Sequence, residues 1–212
     1  MNDLSRLRAA ADALVARGLS LLITDVDGVL FDSRLSLLKV AEAMGYAPVP
    51  TWNALRAEQF LGLGPDVYRR VLAEAPKIEK ILLIEPARDS LHVLKDAGFR
   101  IVALTAIAPE NAERRRTNFQ KFDLPIDTLH HVGLNTTKLH ILNGLPTGIF
   151  VDDYLHNLDD GRQADPGHHL VLFDQPYNRG ADLSAPGRHG SLQRMNGWAD
   201  LAPVLERILA TL

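Results

Sequence analysis

Two aspartates separated by one residue follow a short apolar run near the start of the chain, and they constrain its fold more than any other feature. Residues 21–23 have the pattern of a strand buried on both faces, and Asp25, Asp27 and Gly28 come shortly after it. In a parallel α/β sheet, ligands bind beyond the carboxyl ends of the strands. Alternate residues of an extended chain point the same way, so both carboxylates can face one crevice, where a cation or a shared proton must offset their repulsion. The alternative is an Asx turn at Asp27-Gly28, and this motif alone leaves both interpretations open.

Polar residues follow two later apolar runs in the same way. The run 99–104 leads to Thr105 and Ala106, and the run 148–151 leads to Asp152 and Asp153. Helical patterns between these runs predict a β-α alternation, which is typical of a parallel sheet flanked by helices. The other elements predicted are helices over 4–17, 85–97, 109–119, 138–142 and 198–212, and strands over 129–132 and 170–173.

Between residues 33 and 83, helical patterns follow one another without an intervening strand. Segments after Ser33, over 51–60 and over 65–75 are separated by glycine and proline turns. Such a run is unusual inside a β-α alternation, so these residues are predicted to be an insertion.

Composition narrows the classes of protein that the chain can belong to. The 212 residues allow one sizeable core with a small extra subdomain, and the formal net charge of -3 gives no indication of binding to a nucleic acid polymer. Cysteine is absent, which excludes disulfides and thiolate chemistry. No apolar run reaches the roughly 18 residues that span a bilayer, and the first residues do not suit a secretory signal. We therefore expect a cytoplasmic protein without a membrane segment, either a monomer or a homodimer.

The string from Asp25 to Ser33, DVDGVLFDS, resembles the first motif of the haloacid dehalogenase-like superfamily of phosphatases and phosphotransferases. Thr105, Lys138 and the pair Asp152-Asp153 match the other three motifs in order and in structural context. Four motifs in sequence are far more specific than any one of them. The resemblance implies a Rossmann-like α/β core formed by residues 1–32 and 84–212, with a small α-helical cap formed by residues 33–83.

The resemblance also implies a phosphomonoester hydrolase that works through an aspartyl-phosphate. Asp25 would attack phosphorus, and Asp27 would act as acid and base while its backbone carbonyl binds the metal. The phosphoryl group would be bound by Thr105, Ala106 and Lys138. Mg²⁺ would be held by Asp25, Asp27, Asp152 and Asp153, and the sequence does not decide which of the last two is the direct ligand. The residues after Thr105 are Ala106-Ile107, where many members of the superfamily carry other small or polar residues.

Each of these residues also has a purely structural interpretation. Thr105 could cap the next helix, Lys138 could be an exposed helix residue, and the Asp pair could bind backbone amides in a turn. All of these would have to occur together at successive strand ends, which favours the functional interpretation.

The substrate is predicted from weaker signals. Residues 172–178, LFDQPYN, look like the bacterial branch of the 5′(3′)-deoxyribonucleotidases, and Trp52, Phe60 and Tyr68 could stack a base. A nucleoside (deoxy)monophosphate is therefore the first expectation for the small phosphorylated substrate. The alternatives are a sugar-phosphate phosphatase, a phosphomutase and a noncatalytic binding protein; the same aromatics also suit the core of the cap.

Three further features receive structural interpretations. The pairs His130-His131 and His168-His169 point to opposite faces of a strand, so neither is a natural chelate. The arginines at 114–116 are predicted to form a solvated helix face with ion pairs. Cap closure is expected to hinge near residues 32–33 and 83–84.

Overall fold

The computed structural model describes residues 3–54, 56–78, 81–134, 136–181, 183 and 192–212, without the side chains of 57 and 76–78. The ranges predicted for core and cap include a few positions outside this set. In the described part, the strands are β1 (Leu21–Thr24), β2 (Arg100–Ala106), β3 (Thr128–Val132), β4 (Ile149–Asp152), β5 (His169–Phe173) and β6 (Leu192–Met195). The helices are α1 (Asp3–Ala16), α2 (Ser33–Ala43), α3 (Ala57–Phe60), α4 (Pro65–Ile78), α5 (Ala87–Ala97), α6 (Ala112–Lys121), α7 (Leu139–Leu142), α8 (Leu155–Ala164) and α9 (Leu201–Leu209). Single 3₁₀ turns, Pro109–Asn111 and Trp198–Asp200, precede α6 and α9.

The strands form one parallel sheet in the order β3-β2-β1-β4-β5-β6. Leu22 lies opposite Ile101 on one side and Ile149 on the other, so β1 is central. The amide of Asp25 donates to the carbonyl of Val151 at 2.8 Å and continues the pairing of β1 with β4 by one residue. Because the strands are parallel, their carboxyl ends share one edge of the sheet. The predicted α/β architecture is confirmed.

Alternate residues of the strands pack into two layers, as the period of two requires. Leu22, Ile101 and Val151 join the larger cluster, which α1, α5 and α9 cover. Ile23 and Phe150 point the other way into a second cluster, which α7 and α8 cover. Both faces of the sheet are therefore buried, which explains why the central strands are uninterrupted apolar runs.

The helices α2, α3 and α4 follow β1 directly and pack around an apolar cluster of their own. Val40, Phe60, Leu61 and Val71 are buried at its centre. This separate cluster supports the division into core and cap, which stays a prediction.

The two connections between these helices and the sheet are paired with each other. The amide of Asp32 donates to the carbonyl of Leu82 at 2.9 Å, and the amide of Ile84 donates to the carbonyl of Leu30 at 2.8 Å. Both segments were predicted as hinges, and this pairing means that any hinge motion would involve them together.

Helix α8 and strand β6 are the elements that the sequence analysis did not predict, and β6 shows why an edge strand is hard to find. Its four residues, Leu192–Met195, include Gln193 and Arg194, and it lies at the edge of the sheet beside β5. An edge strand is buried less than a central one, so it lacks the continuous apolar run that identified the others. The segment 51–60 was predicted to be helical throughout, whereas α3 occupies only its end.

Candidate active site

Carboxylates from two neighbouring strand ends meet at the carboxyl edge of the sheet. Asp25 follows β1, Asp152 ends β4 and Asp153 follows it, and all three are buried. One oxygen of each lies within 4.8 Å of the others. The strand order is responsible, because β1 and β4 are direct neighbours.

Lys138 brings a positive charge into this cluster. The residue is the N-cap of α7, its side chain is 1% exposed, and its backbone amide donates to Oδ2 of Asp160 at 2.9 Å. Its Nζ donates to Oδ1 of Asp25 at 2.6 Å and to Oδ2 of Asp152 at 2.7 Å. Burial lowers the pKa of Lys138, but the two carboxylates raise it by more, so the amine stays protonated.

Asp152 and Asp153 have different environments. Both oxygens of Asp152 accept hydrogen bonds. Oδ2 accepts from Lys138, and Oδ1 accepts from the Tyr154 amide at 2.8 Å and from the side chain of Asn157 at 3.0 Å. Oδ2 of Asp153 accepts from the Tyr177 hydroxyl, whereas its Oδ1 is buried and finds no hydrogen-bond partner among the described residues. A buried oxygen without a donor is costly unless a ligand binds it.

The cluster brings three carboxyl groups and one amine together in a buried position. Burial raises the pKa of Asp25 to about 7 despite the nearby ammonium of Lys138, and burial raises the pKa of Asp153 well above its usual range. Three carboxylates face one ammonium, so a hard divalent cation that prefers oxygen ligands fits the remaining charge. The unpartnered oxygen of Asp153 fits the same group.

Asp27 lies beside this cluster without joining it. Its carboxylate is 32% exposed, and Oδ2 accepts from Nη2 of Arg115 at 2.7 Å. The sequence predicted Asp27 from its spacing to Asp25 but gave no indication of the arginine.

Thr105 and Ala106 form the end of β2, next to β1. Thr105 is buried and pairs in register with His131, and Ala106 pairs with Val132 and packs against the second cluster. Thr105 is thus part of the strand and not the cap of a helix.

The loop between β1 and α2 is held by hydrogen bonds from distant parts of the chain. Gln175 donates to the carbonyl of Gly28 at 2.6 Å, and the indole of the buried Trp198 donates to the carbonyl of Val29 at 2.8 Å. Gly28 has φ +88°, and a Cβ there would lie 2.5 Å from Oδ2 of Asp153. Only glycine fits, because both the backbone conformation and the close approach exclude a side chain.

One side chain of α2 reaches the same site. Arg34, in the first turn of α2, is buried, and its guanidinium lies 3.8 Å from the ring centroid of Tyr177 and 5.3 Å from that of Phe60. Tyr177 in turn donates to Asp153, so a cation of the insertion lies directly over a residue that holds the carboxylate cluster.

The segment 174–178 supports the site in a way that the sequence did not predict. Its resemblance to nucleotidases suggested a substrate role, but Tyr177 binds Asp153, and Nδ2 of Asn178 donates to the carbonyls of Asp153 and Phe173 at 2.9 and 2.8 Å. The concentration of polar side chains directly after a strand was the available signal. These residues fix the loop that presents Asp153.

The aromatic residues proposed to stack a base have mostly structural positions. Phe60 is fully buried, Tyr68 packs against the cap cluster, and Trp52 makes an edge contact with Phe60 at 5.0 Å between centroids while remaining 42% exposed. Of the three, Trp52 alone presents a substantial surface to a ligand.

The fold is similar to the one seen in solved structures of haloacid dehalogenase-like hydrolases, in agreement with the α/β architecture that the four motifs implied. No protein-family model matches the chain, and no curated protein sequence is detectably similar to it. The similarity is therefore one of structure.

Three solved structures illustrate the match. A candidate β-phosphoglucomutase from Thermotoga maritima has 18% sequence identity and a TM-score of 0.60, with 90% of this chain and 100% of that one covered. A haloacid dehalogenase-like hydrolase from Streptococcus pneumoniae has 14% identity and a TM-score of 0.60, covering 92% and 100%. CbbY from Rhodobacter sphaeroides, in complex with phosphate, has 17% identity and a TM-score of 0.57, covering 89% and 99%.

None of the helices in the described residues is both long and apolar enough to cross a membrane.

Proposed function

We propose that this protein is a Mg²⁺-dependent phosphomonoester hydrolase that works through an aspartyl-phosphate on Asp25. The observation that carries the proposal is the buried pair of Asp25 and Lys138, 2.6 Å apart, beside Asp153, whose buried Oδ1 has no hydrogen-bond partner among the described residues. A carboxylate nucleophile approaches an anionic phosphoryl group only where cations neutralise both. Lys138 and the carboxylate oxygens that suit a metal ion supply that environment at the carboxyl edge of the sheet.

In the first step, an oxygen of Asp25 attacks phosphorus while the bond from phosphorus to the ester oxygen breaks. Asp27 gives its proton to that ester oxygen, which leaves as the alcohol. In the second step, a water oxygen attacks the aspartyl-phosphate, Asp27 takes the water's proton, and the bond between phosphorus and Asp25 breaks to release inorganic phosphate. Lys138 holds Asp25 in place, and Thr105 and Ala106 face the phosphoryl oxygens.

Asp25, Asp153 and the backbone carbonyl of Asp27 would hold Mg²⁺. When bound, the ion supplies positive charge that offsets the phosphoryl group and the carboxylates. Asp152 has both oxygens engaged, so its role in this proposal is to hold Lys138.

A sugar phosphate is now a better candidate for the substrate than a nucleotide. Two of the three aromatic side chains expected to stack a base lie in the interior of the cap or pack against it. Among the structural neighbours are candidate β-phosphoglucomutases and a candidate phosphoglycolate phosphatase from Lactobacillus plantarum. Nucleoside monophosphates remain as comparison substrates, and a phosphomutase would be recognised by transfer of phosphate without its release.

The test is phosphate release from a panel of sugar phosphates, phosphocarboxylic acids, ribonucleotides and deoxynucleotides, each with Mg²⁺ and with a chelator. We expect chelator-sensitive release that is greatest for sugar phosphates. Greatest release from deoxynucleotides would restore the nucleotidase expectation, and no release or transfer from any substrate would contradict the proposed function.

Asp25→Asn provides the decisive control for the mechanism. The variant should lose turnover by about 10³-fold or more and should fail to become labelled by substrate carrying radioactive phosphate. Asp12→Asn, at an exposed position on α1, should keep both. Full activity in folded Asp25→Asn protein would exclude Asp25 as the nucleophile.

A further inference from the structure

The three consecutive arginines of α6 contact three different parts of the molecule. Arg114 donates to the carbonyl of Ala75 in α4 at 3.4 Å, and Arg116 pairs with Glu113 on the exposed face of its own helix. Arg115 turns toward the loop after β1 and pairs with Asp27. The sequence interpretation of a solvated face therefore holds for Arg116 but is wrong for Arg115.

The pair of Arg115 and Asp27 is a short and partly buried ion pair. The two side chains are 13% and 32% exposed, and the donor-to-acceptor distance is 2.7 Å across 88 positions of sequence. Exposed ion pairs contribute little, whereas a largely buried guanidinium bound to a carboxylate holds a defined geometry.

Arg115 is itself held from a second side. Its guanidinium lies 5.6 Å from the ring centroid of Phe31, which stacks on Phe119 of α6 at 6.2 Å. The guanidinium therefore cannot follow the carboxylate freely if the carboxylate rotates. A fixed donor imposes its position on the mobile partner.

The contact uses only one oxygen of Asp27. Oδ2 accepts from Arg115, and no other described side chain or backbone amide binds Oδ1. Within the part of the chain that the structure covers, Nη1 of Arg115 is buried without an acceptor, so the contact with Asp27 is made through Nη2 alone. One oxygen is fixed, and the other is left free to hold a proton.

We infer that Arg115 is a positioning residue for the acid and base Asp27, resting on the proposed function. The fixed oxygen sets the direction of the free one, so that its proton is delivered to the ester oxygen as the phosphorus bond breaks. Among the described residues, Arg115 contacts Asp27 and Phe31, so its role in this inference is exerted through Asp27. A purely structural contact would join α6 to the loop without affecting proton transfer, and the two roles can be separated by the leaving group.

The experiment compares phenyl phosphate, 4-nitrophenyl phosphate and the best alkyl phosphate of the panel, with the full chain and Mg²⁺. The value of kcat/KM reports formation of the aspartyl-phosphate, the step in which the leaving oxygen needs a proton. Alkoxide and phenolate are strongly basic leaving groups, so their departure depends on a proton from Asp27. The less basic 4-nitrophenolate leaves without one.

Arg115→Gln should lower kcat/KM for the alkyl and phenyl esters by about tenfold or more, a fraction of what a general acid contributes, and change the 4-nitrophenyl ester by less than about threefold. Arg116→Gln should leave all three unchanged. Asp27→Asn combined with Arg115→Gln should be no slower than Asp27→Asn alone, because both act on one proton transfer.

Equal losses on both aryl esters, no loss on any ester, or additive losses in the double variant would overturn the inference. If Arg115→Gln does not fold, Arg115→Lys replaces it and should show the same selectivity for basic leaving groups at smaller amplitude. Absence of turnover in the wild-type protein, by contrast, would contradict the proposed function itself and the inference with it.

Discussion

The Nζ of Lys138 bridges Asp25 and Asp152, at 2.6 and 2.7 Å, and thereby joins the end of β1 to the end of β4. All three groups are buried, so each charge depends on the others for compensation. Lys138→Met should therefore lower the free energy of unfolding by about 3–5 kcal/mol in urea titrations with chelator present. Lys39→Met, at an exposed position of α2, should change it by less than about 0.5 kcal/mol.

The double variant Asp25→Asn with Lys138→Met should recover part of that loss, because one unpaired carboxylate has then been removed. A Lys138→Met protein as stable as the wild type would show that the carboxylates are compensated in another way.

The different environments of Asp152 and Asp153 predict different effects on metal binding. Asp153→Asn should abolish the heat of Mg²⁺ binding in calorimetry, because its Oδ1 is buried and unpartnered in the described structure. Asp152→Asn should weaken binding by about 10–100-fold, as expected for a residue that positions others. The reverse order would assign the direct contact to Asp152.

Gly28 and Gly18 form a matched pair for testing the close packing around the site. Their φ angles are +88° and +83°, but a Cβ at Gly28 would meet Asp153 at 2.5 Å and the hydroxyl of Tyr177 at 2.9 Å, whereas nothing lies within 4 Å of Gly18. Both alanine variants should lose about 1–2 kcal/mol of stability from the strained backbone, and Gly28→Ala should lose more, because its methyl group also collides with Asp153.

Only Gly28→Ala should also weaken Mg²⁺ binding, since its methyl group displaces Asp153. Thermal denaturation with and without Mg²⁺ measures both effects. Equal responses of the two variants to Mg²⁺ would show that the contact with Asp153 does not matter for the metal.

The burial of His168 predicts that stability depends on pH through a group outside the candidate active site. It is buried, its Nδ1 accepts from the Gly148 amide at 3.1 Å, and burial lowers its pKa below 6.5 despite the nearby Asp165. The unfolded chain then binds a proton at a higher pH than the folded chain does. Above pH 6.5, His168 should not reduce the free energy of unfolding. As the pH drops from there toward the folded pKa, the free energy of unfolding should fall by at most about 1.4 kcal/mol per pH unit for this group.

The substitution His168→Asn retains an acceptor and should flatten this dependence, and His140→Asn, at an exposed position, should not. His169 has a pKa lowered by burial too, so a smaller slope should remain. An unchanged slope in His168→Asn would assign the dependence to other groups.

The sequence predicted the residues of the candidate active site because those residues follow strands that are buried on both faces. The apolar runs before Asp25, Thr105 and Asp152 are local signals, and a parallel sheet brings their ends to one edge whatever the details of packing. Strand β6 escaped prediction because an edge strand is marked by partial burial and not by a continuous run.

The arginines at 114–116 show what a local sequence pattern does not predict. Residues 114–116 look alike in sequence, and only packing sends Arg115 to Asp27 and Arg116 to the surface. The aromatic residues of the cap show the same limit, because helical spacing does not say whether a ring faces a core or a ligand.

By itself, then, the sequence determined the α/β alternation and the identity of the residues at the strand ends. The tertiary structure alone decided that Lys138 binds Asp152, that Oδ1 of Asp153 has no hydrogen-bond partner among the described residues, and that Asp27 is held by Arg115. The physical reason is that secondary structure follows from periodicities over neighbouring residues, whereas the partner of a side chain depends on the directions in which residues far apart in sequence are packed.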